Sequence, residues 1–251
     1  KKIIFLKCDR KNKTEMKKIL QNIRFNLIFD NCAYEVKDVK NLLHIIKNKK
    51  ITYLFSSSVM SYLNLYLKGV LKEKDWPSAN SIQKMKNIYM SHELKYAKNK
   101  REIEKFLINN KKIKSIIFRI HNVIGKNDFS QKTFKIFMSN FKQAQKYNIS
   151  EYDDFQFTYD QDLIKIIYKI IISYPKKSDT FNICNNPINV KKFYKLKSMY
   201  LKRKSILISD EKFPFPRNVI INNKKIKNKF NFNFTPITKV ISQIVSSNEF
   251  K

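Results

Sequence analysis

With 251 residues, 43% of them hydrophobic and 14% aromatic, the chain can bury the core of one α/β domain, or of a domain with a small lobe, and is not a disordered polypeptide. Its formal net charge of +32 comes from 52 Lys+Arg against 20 Asp+Glu and invites polyanionic partners. No apolar run approaches the ~20 residues needed to cross a bilayer, and neither the three Cys nor the three His show a paired or ligand-like spacing, so no membrane association, disulfide framework or metal site is expected.

In chain order, strand-like runs of β-branched and aromatic residues fall near 2–7, 26–30, 51–56, 114–119, 155–159 and 180–184. Helical patterns lie between them near 13–22, 36–48, 91–109 and 160–173, with a further helix from Val190 to Leu201. Strands alternating with helices imply βαβ units and a mostly parallel sheet. The first run, Lys1 to Lys7, is too short for a signal peptide. Residues 63–90 read as an irregular polar insertion containing Glu73, Asp75, Trp76 and Pro77. The stretch from Ile206 to Ile244, broken by Pro214, Pro216 and Pro236, reads as a small lobe. Cys8, Cys32 and Cys184 sit in apolar settings and read as buried free thiols of a reducing, cytoplasmic compartment.

The chemistry is concentrated between two strands. Ile51-Thr-Tyr-Leu-Phe55 runs into Ser56, Ser57 and Ser58, which places hydroxyls at the C-terminal end of a strand, where open α/β sheets bind ligands. On the following helix Tyr96 and Lys100 are four apart and share a face. A free phenol has a pKa of roughly 10, and a nearby ammonium favours the phenolate. Such a pair can move a proton on or off a hydroxyl while a hydride leaves the carbon. In a chain this rich in Lys and Tyr, the bland reading of the same pair is a solvated helix face.

Strand, serine cluster, helix with Tyr96-Ala-Lys-Asn-Lys100, strand, then Asn122-Val-Ile-Gly125 is an order that resembles the extended short-chain dehydrogenase/reductases, the NAD-dependent epimerase/dehydratase group. Asp9-Arg10, Asp30-Asn31, Phe155 to Leu163, Thr180 to Cys184 and Phe213 to Asn218 extend the resemblance over most of the chain. Two of these, Asp9-Arg10 with Asp30-Asn31 and Phe213 to Asn218, resemble an atypical branch that includes bacterial epimerase/dehydratase-like proteins and the chloroplast stem-loop-binding proteins. The resemblance implies an α/β, Rossmann-type, doubly wound parallel sheet with a small C-terminal substrate lobe. Residues 1–125 would form the core, and 126–251 the remaining sheet interwoven with the lobe. It implies catalytic roles for Ser58, which polarises a hydroxyl, for Tyr96 as acid/base, and for Lys100, which lowers the pKa of Tyr96 and binds the nicotinamide ribose. Asp9 and Asn31 would flank the adenosine of NAD or NADP; Asn122 and Arg217 would hold a nucleotide-sugar-like substrate. Glu104 and Asp162 are read as structural. A homodimer is a further expectation from the family.

One departure stands out. The sequence has two glycines, Gly69 and Gly125, so the Gly-rich turn that cradles a pyrophosphate at a helix N-terminus is missing. The first strand already resembles a later strand of the sheet. The reading is therefore of a sheet lacking its first β-α unit, roughly 40–50 residues by ordinary element lengths, through truncation or natural loss. The charge sustains an alternative: an RNA-binding protein of the same fold with relic catalytic residues. Against it, the lysines are spread along the whole chain, as on a solvated basic surface, and no RNP-like or zinc-knuckle motif accompanies them.

Overall fold

A computed structural model describes residues 3–46, 51–65, 69–75, 91–125, 154–201 and 220–245. They divide into two compact units, one drawn from residues 1–63, 78–119 and 175–180, the other from 64–77, 120–174 and 181–251.

In the first unit, α1 (Lys13–Leu20) starts where Asn12 accepts a hydrogen bond from the backbone of Glu15 at 3.1 Å, the side-chain cap that satisfies an otherwise orphaned N–H. Next come β1 (Leu27–Asp30), α2 (Val36–Ile46), β2 (Thr52–Ser58), a 3-10 turn (Val59–Leu65), α3 (Ser91–Asn109) and β4 (Lys114–Ile120); the two-residue β3 (Val70–Leu71), between the turn and α3 in the chain, belongs to the second unit. β1 and β2 pair in parallel, with Asp30 opposite Phe55. Together with β4 and β8 (Asp179–Ile183) they make a four-stranded parallel sheet in the order β1-β2-β4-β8. β2 and β4 are buried along nearly their whole length, as strands covered on both faces are. Helices α2 and α3 lie over a core of Val39, Ile51, Tyr53, Phe55, Ile103, Leu107 and Ile117.

The run at the start of the chain departs from the expected strand. Residues 3–8 form none, and Ile3 and Phe5 are 94% and 87% exposed. β-propensity alone does not make a strand; a neighbour must take up the backbone N–H and C=O groups, and no such neighbour is present among the described residues. The run near 155–159 also differs. It forms two short pieces, β6 (Asp154–Phe155) and β7 (Thr158–Tyr159), which pair with different partners.

The second unit holds β5 (Val123–Ile124), β6, β7, α4 (Asp160–Ser173), β9 (Ile188–Asn189), α5 (Val190–Leu201), β10 (Ile220–Ile221), α6 (Lys224–Phe230) and α7 (Ile237–Val245). β5 runs parallel to β7, β6 antiparallel to β9, and β10 parallel to β3. The Gln156 side chain ties three segments together. Its amide donates to Asn185 O at 2.8 Å and Ile221 O at 3.1 Å, and its carbonyl accepts from Ile221 N at 2.7 Å. Asp162, in the first turn of α4, accepts from Thr235 N at 2.8 Å and Thr235 Oγ1 at 2.6 Å. Gly125 has a concrete cause: a Cβ there would lie 2.1 Å from the Asp160 carboxyl, so the helix start and the loop can approach only without a side chain. Of the anticipated insertion, Trp76 and Pro77 lie outside the described residues, as do Pro214 and Pro216.

Candidate active site at the end of the second strand

The three consecutive serines at the end of β2 do three different things. Ser56 offers its main-chain carbonyl to Lys100 Nζ at 2.8 Å, while its hydroxyl has no partner among the described residues. Ser57 Oγ donates to Glu104 Oε1. Ser58 Oγ accepts from Met60 N at 3.2 Å, and its hydroxyl acts on the Tyr96 phenol in the direction that favours the phenolate. The alternation follows from the strand itself, which turns successive side chains to opposite faces.

Tyr96 and Lys100 reach the same place from the first half of α3. Lys100 is only 4% exposed. Its ammonium donates to Ala33 O at 3.0 Å as well as to Ser56 O, and lies 4.8 Å from the centre of the Phe55 ring and 5.5 Å from those of Tyr34 and Tyr96. Ala33 sits in the loop after β1, so Lys100 is gripped by the ends of two neighbouring strands. An ammonium has three N–H donors. With two given to carbonyls, one is left to meet a ligand oxygen.

Burial shifts both groups. The Lys100 pKa falls to about 8, chiefly because burial penalises the cation, against the attraction of Asp30 and Glu104. Tyr96 is moved upward, first by burial; the Ser58 hydroxyl opposes the shift and Tyr34 adds to it. This is the reverse of the lowering anticipated for Tyr96. Lys100 spends its bonds on backbone carbonyls, and burial of the phenol outweighs the help it receives. The phenol is therefore protonated at neutral pH, as a proton donor must be.

Beneath this group lies a buried layer of charge. Glu104 is fully buried and accepts from Arg119 Nε at 3.0 Å and Nη2 at 2.8 Å; Arg119, 1% exposed, also lies 4.5 Å from the centre of the Tyr62 ring. Arg101 Nε donates to Ser61 O at 2.6 Å. Glu104 was anticipated as structural. Arg119, at the end of a strand run, carried no signal that it pairs across to α3.

A second cluster joins Arg10 and Asp30, which the sequence marked only as parts of the dipeptides Asp9-Arg10 and Asp30-Asn31, to Tyr53, which it did not mark. Asp30, at the end of β1, accepts from Arg10 Nη1 at 2.7 Å and Nη2 at 2.8 Å, from Cys32 N at 3.0 Å and from the Tyr53 hydroxyl. Its pKa is lowered: burial pushes it up, but the Arg10 and Tyr53 hydrogen bonds and the Arg10 charge prevail. Asp9 and Asn31, anticipated beside the adenosine, are both exposed; Asp9 Oδ1 accepts from Lys11 N at 2.9 Å. Of the three thiols anticipated as buried, Cys184 is, whereas Cys32 is exposed and Cys8 partly so, because the ends of the first segments lie open to solvent. In the second unit Asn122 is exposed, its carbonyl accepting from Thr158 N at 2.9 Å and its N–H donating to His121 Nδ1 at 2.8 Å. Burial holds His121 down to about 3, so it is neutral at physiological pH. Arg217 lies outside the described residues. Among the described residues there is no group of His, Cys, Asp and Glu able to hold a metal ion, and no helix is long and apolar enough to cross a membrane.

No family model and no curated protein matches the chain. Solved structures do share its fold. The Helicobacter pylori ADP-L-glycero-D-manno-heptose-6-epimerase aligns over 95% of this chain and 76% of its own, with a TM-score of 0.69 at 15% identity. The Bacillus cereus UDP-glucuronic acid 4-epimerase in complex with NAD aligns over 95% and 78%, with a TM-score of 0.68 at 14% identity. RMD from Pseudomonas aeruginosa complexed with NADPH aligns over 96% and 85%, with a TM-score of 0.63 at 13% identity.

Proposed function

Starting from a fold shared with nucleotide-sugar epimerases and a nicotinamide-dependent protein, we propose that this chain is an epimerase/dehydratase- or reductase-like oxidoreductase that acts on a hydroxyl of a nucleotide-sugar-type substrate. The observation that carries the reading is the meeting of Ser58, Tyr96 and Lys100: Ser58 acts on the Tyr96 phenol, and a buried ammonium with one donor to spare lies 5.5 Å from the centre of the Tyr96 ring. The residues present fit the nicotinamide end of NAD or NADP. Lys100 would hold the ribose hydroxyl through its third N–H, and Asp9 and Asn31 would flank the adenosine. When bound, the cofactor would accept or return a hydride at the carbon bearing the substrate hydroxyl. The turn that would cradle its phosphates is not part of this sequence.

In the proposed reaction the Ser58 hydroxyl holds the substrate oxygen beside Tyr96. In the reducing direction Tyr96, protonated at neutral pH, gives its proton to that oxygen as hydride arrives at the carbon. In the oxidising direction the phenolate takes the proton back, and the Lys100 cation favours that anion. Asn122 and Arg217 are proposed to hold the sugar or its phosphates. Tyr96→Phe keeps the ring and removes the proton carrier. It is expected to lower turnover by 10²-fold or more, on the order of the usual contribution of general acid–base catalysis, with an unchanged unfolding transition. Normal turnover in that variant would refute the assignment.

A further inference from the structure

Lys100 is a cation with little access to water, and what keeps it charged and aimed is not obvious from its own contacts. Its two bonds go to neutral carbonyls. The rings of Phe55, Tyr34 and Tyr96 surround it, and rings stabilise a cation only modestly. The charged and titratable groups that act on it are Asp30 and Cys32 from β1 and the loop that follows, Arg10 from the preceding segment, and Glu104 from its own helix. Arg10 opposes the charge; the others favour it. Glu104 and Asp30 are each ion-paired, with Arg119 and Arg10 respectively, and of the two Asp30 acts more strongly on Lys100.

Asp30 is placed differently. Oδ1 accepts from Arg10 Nη1 and Cys32 N, Oδ2 from Arg10 Nη2 and the Tyr53 hydroxyl. Those bonds use the acceptor capacity of the carboxylate, so Asp30 has nothing left with which to hold a substrate. The same bonds shape the grip on Lys100. The Cys32 N–H fixes the loop one residue before Ala33, whose carbonyl takes Lys100 Nζ. Tyr53 lies on β2 three residues before Ser56, whose carbonyl takes the other N–H. Both carbonyls that hold the ammonium are therefore tied through the backbone to one carboxylate.

We propose that Asp30, clamped by Arg10 and Tyr53, is the positioning residue of the site: it sets the two carbonyls that aim Lys100 and adds a negative charge that favours the ammonium. The inference deepens the proposed function, since it rests on Lys100 being the cation of the active site. It assigns to Asp30 no contact with substrate or cofactor.

The test is an NMR pH titration of the lysine side-chain Cε and Nζ signals in isotope-labelled protein, with the Lys100 signal assigned as the one lost in Lys100→Met. The variant is Asp30→Asn, which preserves shape and removes charge; Asp30→Glu is the conservative rescue. In the wild type Lys100 is expected to titrate near pH 8, and in Asp30→Asn lower by roughly half a unit or more, as for a cation losing a nearby opposite charge. Asp30→Glu should restore part of the shift. A Lys100 titration unchanged in a folded Asp30→Asn variant would overturn the inference, and so would a shift that Asp30→Glu reproduces in full. Should Asp30→Asn fail to fold, Tyr53→Phe, which releases one Asp30 oxygen, is read the same way: a displaced Lys100 titration supports the inference and an unmoved one overturns it. No turnover is measured, so a downward shift in a protein that proves inactive would leave this inference standing while the proposed function failed.

Discussion

At the scale of single residues, the candidate site depends on opposed electrostatic terms acting on a few buried groups. Lys100 is the clearest case. Its pKa falls from 10.5 to about 8 on burial, which at about 1.4 kcal/mol per unit corresponds to about 3 kcal/mol of differential interaction. Below pH 8 the folded chain carries the full cost of the buried cation. Between about pH 8 and 10.5 the unfolded chain holds a proton that the folded chain has released, so stability from this group rises with pH. Denaturant unfolding of wild type and Lys100→Met at pH 7 and pH 10 should show the wild type gaining about 2–3 kcal/mol relative to the variant; a pH-independent difference would mean that Lys100 is not a buried cation. Asp30 works in the opposite sense. Its depressed pKa contributes stability that is present above the ordinary carboxylate range and lost as pH falls through the folded value. Asp30→Asn should therefore flatten the acid limb of the stability profile. Ser58, Tyr96 and Lys100 were legible as residues, because hydroxyls at a strand end and a Tyr-Lys pair on one helix face are patterns in sequence. The upward shift of Tyr96 was not, because it arises from burial that depends on Tyr34 and on the depth at which α3 packs.

At the scale of elements, α3 shows why charge in a sequence misleads. Its buried residues are Lys100, Arg101 and Glu104 beside Ala97, Ile103 and Leu107, so half of its buried face is made of residues that read as solvated. The layer holds through specific partners: Arg119 and Ser57 bond Glu104, and the Ser61 carbonyl takes Arg101 Nε. Removing one partner of a buried pair leaves the other uncompensated, at a cost of about 3–5 kcal/mol, whereas replacing both by apolar residues of similar volume is far milder. Glu104→Gln should thus lower urea-unfolding stability by about 3 kcal/mol or more, and the double variant Glu104→Leu, Arg119→Met by much less. If the double variant instead loses the sum of the two single losses, the residues do not act as a pair. The strands follow the same lesson. β1, β2, β4 and β8 were legible to within a residue or two because buried strands are continuously apolar or β-branched. The run at 3–8 reads equally well in sequence and yet forms no strand, since pairing is a property of the neighbour. The run at 155–159 splits because Gln156 turns its amide to β10 and Asn185, a contact between residues 65 apart in sequence.

For the whole molecule, alternating strands and helices were enough to specify the α/β class, and the solved structures that share it show how far that class extends at 13–15% identity. What the protein does with the fold is a separate question. The net charge of +32 suits a phosphate-bearing substrate and also an RNA; the two separate by salt. An RNA site neutralising several phosphates would lose affinity linearly in log K against log salt, and an affinity that stays flat between low and moderate salt would remove that reading. The most direct test of the central claim, that Ser58, Tyr96 and Lys100 form a nicotinamide site, is titration of NADH and NADPH into lysine-labelled protein while following the Lys100 side-chain signal. The expected result is a saturable shift of Lys100 with at least one of the two, accompanied by loss of binding in Lys100→Met. A Lys100 signal unmoved by either dinucleotide at millimolar concentration would contradict it.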